Sequence, residues 1–128
     1  MISRFRGKRL DNDHWIYGSL VKFDDSNAFI MPEYKGASTA SYAEIFRDTA
    51  IAVDIDTVDR STGLLDKNEK EIFERDICKF YGRFGIDTGV VEFQRYGFHI
   101  VLSNVSMYRI DEFWLEVIGS MNEDSHLL

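Results

Sequence analysis

The strongest constraint in this chain is a seven-residue stretch whose side chains alternate with a period of two. From 51 to 57, the residues Ile51, Val53, Ile55 and Thr57 alternate with Ala52, Asp54 and Asp56. Such a period places one set on each face of an extended strand, and β-branched side chains favour that backbone. The alternation returns at Phe98, Ile100 and Leu102, and again at Phe113, Leu115 and Val117. Runs rich in β-branched and aromatic residues predict further strands at 15–23, 28–31, 77–81 and 90–93. Turn-forming clusters separate them, at 11–13, 24–27, 66–68, 82–85 and Gly97. Many short strands at this spacing predict a mainly β protein built as a small barrel or sandwich.

Helix is scarcer. Ser41-Tyr42-Ala43-Glu44 has the capping-box form, with Ile45 and Phe46 behind it, which predicts a short helix over 41–48. A second candidate, 69–75, is one or two turns long. The small, polar stretch at 36–41 reads as a loop. A break there divides the chain into an N-terminal β module, 1–50, and a C-terminal one, 51–128.

Composition narrows the classes. With 128 residues, 45% hydrophobic and 29% charged, the chain has the balance of a folded domain and the length to bury a core without metal or disulfide. The single cysteine, Cys78, has no internal disulfide partner, which predicts a reducing, cytoplasmic setting. No apolar run approaches the roughly 18 residues of a membrane helix. The basic start is followed by Asp11, Asn12 and Asp13 where a signal peptide needs an apolar stretch. Charge is uneven: the first ten residues hold four cations and no acid, the last eighteen five acids and no cation. The net charge of −7 argues against wholesale nucleic-acid binding.

The segment from Thr62-Gly63-Leu64-Leu65-Asp66-Lys67-Asn68 to Glu74-Arg75-Asp76-Ile77 resembles a signature of the YopX family of bacteriophage and prophage proteins. The opening Phe5-Arg6-Gly7-Lys8 with 15–20, and the closing 115–119 with Asn122-Glu123 and Leu127-Leu128, are similar to that family in order and spacing. The resemblance implies an SH3-like, mainly β fold: a small barrel with an N-terminal β extension and one or two short helices. It also implies a phage or prophage origin inside a bacterial host cell, and no activity. Two positions depart from the family pattern. Glu69 and Arg75 stand where the family has glycine, so either the turn type changes or a side chain occupies strained backbone.

No constellation in the sequence calls for a metal or a cofactor. His14, His99 and His126 are far apart, and Cys78 has no companion thiol. A pairing of Cys78 with His99 has no motif behind it, and Cys78 shares a strand face with Phe80, as a buried thiol would. The glycines at 82 and 85 are too few for a phosphate loop and suit a hairpin connection. The acids at 66–76 suggest metal-assisted hydrolysis, but Lys67, Lys70 and Arg75 interleave with them, as on a solvated turn. The signature residues Thr62, Gly63, Leu64, Asp66, Asn68, Ile72, Glu74 and Asp76 therefore read as a structural connector. Thr62-Gly63 should break a strand ending near Val58, Leu64 should turn inward, and Ile72 and Phe73 should anchor the segment.

The basic head offers the other candidate site. On a strand, Arg4, Arg6 and Lys8 fall on one face, where they could track phosphates with Trp15 or Tyr17 near for stacking. The alternative is a charged guard on an exposed sheet edge, and the net charge favours it. Ten Phe, six Tyr and two Trp exceed what a small core needs, and a surplus left exposed marks a protein interface. The expectation is a non-enzymatic interaction or assembly module that self-associates or docks on a protein, with nucleic-acid binding through the basic strand as the alternative.

Overall fold

A computed structural model describes residues 4–33 and 41–128. The chain is mainly β, with ten strands and two short α-helices among the described residues. The strands are β1 (Phe5–Arg9), β2 (Trp15–Lys22), β3 (Ala28–Met31), β4 (Ile51–Leu65), β5 (Glu71–Phe73), β6 (Asp76–Gly82), β7 (Gly85–Gln94), β8 (Gly97–Leu102), β9 (Met107–Arg109) and β10 (Trp114–Ser120). The helices are α1 (Tyr42–Thr49) and α2 (Met121–Asp124), the latter followed by a 3-10 turn, Ser125–Leu127. No helix is long and apolar enough to cross a membrane among the described residues. By contacts the chain divides into two compact units that meet within β4, at Arg60 and Ser61, where the sequence places a division after residue 50. The loop expected at 36–41 lies outside the described residues, Ser41 excepted.

In the first unit every strand has two neighbours. β1 pairs antiparallel with β2 and also with β4, β2 pairs with β3, and β3 pairs with β4. The pairings therefore close into a ring. Ala28, Ile30 and Val53 are buried inside it, with Phe5, Ile16, Leu20, Ile55 and Val58 packed against them. At Gly7 a β-carbon would lie 3.2 Å from that of Val53, so glycine lets β1 pack closely there. Ser41 caps α1 by accepting the Glu44 N–H at 3.2 Å, as the capping box requires. The helix then sets Phe46 against Phe23 and Phe29 in edge-to-face contacts of 5.8 and 5.3 Å.

The second unit carries an antiparallel sheet in the order β10-β6-β7-β8-β9. Alternation puts Cys78 and Phe80 of β6, Val91 of β7, Ile100 and Leu102 of β8, and Leu115 of β10 into one buried cluster with Ile72 and Ile110. Two-residue hairpins join the central strands: Arg83-Phe84 between β6 and β7, and Arg95-Tyr96 between β7 and β8. Arg95 and Tyr96 both adopt positive φ, 51° and 66°, the backbone a type I′ turn demands.

Three local expectations change. The helix expected at 69–75 is a turn, the strand β5 and a second turn, because side chains claim its amides: Asp66 takes those of Asn68 and Lys70, and Asp76 that of Phe73. The strand expected to end near Val58 continues to Leu65, and its last residues pair with β5 across an irregularity at 61–65. Leu64 faces outward, 38% exposed, since Gly63 at φ 78° reorients the strand.

Candidate functional site

The signature segment ties strands together. One carboxylate oxygen of Asp66 accepts the N–H groups of Asn68 and Lys70, both at 2.8 Å, and the other accepts the N–H of Val117 at 2.9 Å. The Lys67 N–H donates to the Leu115 carbonyl at 2.9 Å. Residues 66 and 67 thus cap the end strand of the sheet, β10, where unpaired backbone would otherwise invite another chain. Thr62 donates its hydroxyl to the Ile72 carbonyl at 2.7 Å, and the Asn68 amide reaches Glu116 at 3.4 Å. Ile72 and Asp76 are buried, and Glu74 is half-buried. An Asp76 oxygen accepts the Phe73 N–H at 2.8 Å. The Arg75 backbone binds outward in both directions, its N–H to the Val91 carbonyl and its carbonyl to the Met121 N–H.

A polar chain continues from this latch. The Lys67 ammonium lies 4.4 Å over the Tyr81 ring and donates to its hydroxyl at 3.2 Å, and that hydroxyl donates to Glu116 at 3.1 Å. The hydrogen bond to Tyr81, aided by the Glu116 and Asp66 charges, holds the Lys67 pKa above its ordinary value. Among the described residues no group of three or more His, Cys, Asp or Glu side chains is placed to hold a metal ion. Cys78 is fully buried in the core, and the His99 ring sits 3.1 Å from the Gly97 carbonyl.

The basic head forms the expected one-faced stripe, but its cations are engaged within the unit. Arg6 is buried and donates to Asp59, itself 1% exposed, at 3.1 Å. Lys8 is buried too, with its ammonium 3.6 Å from Asp13. The aromatic side chains that could have stacked on bases lie under these cations instead. Arg6 and Lys8 lie 4.6 and 5.4 Å from the Trp15 ring centroid, and exposed Arg4 lies 4.8 Å from that of Tyr17. The edge-guard reading expects an unpaired flank, whereas β1 is paired on both sides.

A cluster of aromatic residues borders a groove of about 490 Å³ on the second unit. Its floor is three rings from three parts of the sheet. Phe80 of β6 stacks on Tyr108 of β9 at 4.9 Å, and Phe113, just before β10, meets both at 4.8 and 5.4 Å. Gly82 keeps the floor in place, since a β-carbon there would come within 2.6 Å of the Phe80 ring. Asp87, opposite Phe80 in the ladder, and Glu112 line the groove from one chemistry; Arg83 and Phe84 of the hairpin tip bring another. Phe84 stands wholly in solvent. None of these rim residues was marked as a site by the sequence; the available signal was a large apolar residue at a two-residue hairpin tip.

A second depression, of about 410 Å³, lies between Leu64, Tyr96 and His99, but its Arg109 is already paired with Asp111 at 2.8 Å. The aromatic groove combines an apolar floor with charged groups that have no ion-pair partner among the described residues.

Strands in this order, with a turn latched by its signature aspartate, define a mainly β protein whose second unit carries an aromatic groove. The family model described as YopX protein matches residues 4–128, and the chain belongs to the YopX family. Comparison with curated proteins gives no match.

Proposed function

We propose that this protein is a non-enzymatic interaction or assembly module that docks on a protein partner through its second unit. The observation that carries the reading is the groove floored by Phe80, Tyr108 and Phe113, beside a Phe84 side chain exposed to water on all sides. Tyr108 is 38% exposed and Phe84 stands in water, and exposed aromatic side chains beside an apolar floor are the composition of interface centres. The Asp66 and Asp76 carboxylates of the signature accept backbone amides, which supports a structural role for them. The resemblance to phage and prophage proteins of that family implies a setting in bacterial cytoplasm, on a phage or prophage gene.

The test is affinity capture from bacterial lysate with the full chain and with a Phe84→Ser, Tyr108→Ser variant, alongside sedimentation of both. A specific partner, or self-association, that the variant loses supports the reading. A monomer that retains nothing, or equal behaviour of the two proteins, overturns it.

A further inference from the structure

We infer that the groove binds an extended peptide segment in which a Lys or Arg side chain stands beside apolar residues; this rests on the interaction-module reading and names the partner's chemistry. Asp87 and Glu112 border the aromatic floor, and neither carboxylate has a cation within 4 Å among the described residues. The groove thus offers apolar contact area and two uncommitted negative charges within one site, which complements an apolar segment carrying a cation.

Three further points fix the class of occupant. The chain's net charge of −7 draws cationic segments toward it and repels a second copy of itself. Phe84 stands clear of the groove floor, so a small ligand seated on the three rings would leave it wet, whereas a peptide passing the hairpin tip would cover it. Arg83, also without an acidic partner among the described residues, is placed to donate to carbonyl oxygens of such a peptide.

The experiment is selection of random short peptides displayed on particles against the full chain, followed by fluorescence anisotropy of synthetic winners. The expected result is enrichment of Lys or Arg next to aromatic or aliphatic residues, with affinity that falls as salt rises. An Asp87→Lys, Glu112→Lys variant changes exposed residues only, so it should fold, with an unchanged circular dichroism spectrum. It should weaken the winners at least about tenfold and, on renewed selection, favour acidic peptides. Winners that are acidic or neutral overturn the inference, as does an affinity that the charge variant leaves unchanged. Cationic winners unaffected by both the charge variant and Tyr108→Ala overturn the groove assignment while leaving an interaction module in place. Absence of any winner overturns the inference alone, and the lysate capture and sedimentation then judge the broader reading separately.

Discussion

The N–H of Val117 and the carboxylate of Asp66, 51 positions apart, meet in a hydrogen bond of 2.9 Å. A side chain here does what a neighbouring strand's carbonyl would do, and it does so while holding two amides of its own turn. Asp66→Ala removes all three hydrogen bonds and should destabilise the protein by about 2–3 kcal/mol. Asp66→Asn keeps one carbonyl oxygen for the turn and should fall between the two. Hydrogen exchange should quicken at Val117 in both variants. Intact stability in Asp66→Ala, measured by urea unfolding, would contradict the latch.

Glu69 and Arg75, at φ 65° and 63°, occupy left-handed backbone that favours glycine. Glu69→Gly should raise stability by up to about 1 kcal/mol, the relief of the Cβ conflict outweighing the added freedom of the unfolded chain. Arg75→Gly should gain less, because the half-buried Arg75 side chain has contacts to lose whereas Glu69 is exposed. Thermal melts of the two single variants give the order directly.

Ile72 and Phe73 are each 2% exposed, so they anchor a three-residue strand that could not hold by pairing alone. Ile72→Ala and Phe73→Ala should each cost about 2–5 kcal/mol through lost transfer energy and a residual cavity. Asp76→Ala should cost about 1–3 kcal/mol by leaving the Phe73 amide without its acceptor. Denaturant midpoints with and without Mg²⁺ check both, and a stability loss independent of the ion is expected.

Arg6 and Asp59 form a buried ion pair. Asp59→Ala leaves a guanidinium in the interior and should cost about 3–5 kcal/mol. Replacing both, by Arg6→Met and Asp59→Leu, should cost much less, since no charge is stranded. A double-mutant cycle in urea measures the difference.

The Asp24 carboxyl is held below the ordinary carboxylate pKa, first by the Ser26 N–H and then by the Asn27 side chain. A depressed folded pKa means that the stabilisation of the 24–27 turn is present above the unfolded value, about 3.9, and is lost as pH falls through the folded one. An NMR titration should place the Asp24 midpoint below that of an unstructured peptide, and Asn27→Ala should move it upward.

Local signals were readable and distant ones were not. The strand at 28–31 has the bounds its composition suggests, and Ser41 and Glu44 mark the start of α1 within one residue, because capping and alternation act over a few positions. The stretch 69–75 has helical composition, yet two aspartates at its borders take its amides, and nothing in its own spacing announces that. Arg4, Arg6 and Lys8 were legible as a stripe; that β1 is interior depends on β4, some fifty residues later. The groove was the least legible part. Phe80, Asp87, Tyr108 and Phe113 come from separate elements, and only the order of the sheet brings them together.

The closed ring of pairings in the first unit has a consequence for how the chain assembles. Phe5 lies opposite Arg60, so β1 cannot complete its pairing until β4 has emerged. β2 and β3 can form a hairpin early, because four of their residues on each side pair across a short turn. β1 can join that hairpin, but its second flank stays open for the whole synthesis of the intervening chain. Such high contact order slows folding, since the entropy of closing a long loop is lost before any distant contact forms. The arrival of β4 also brings Asp59 to neutralise the buried Arg6, so closing the ring and pairing that charge are one event.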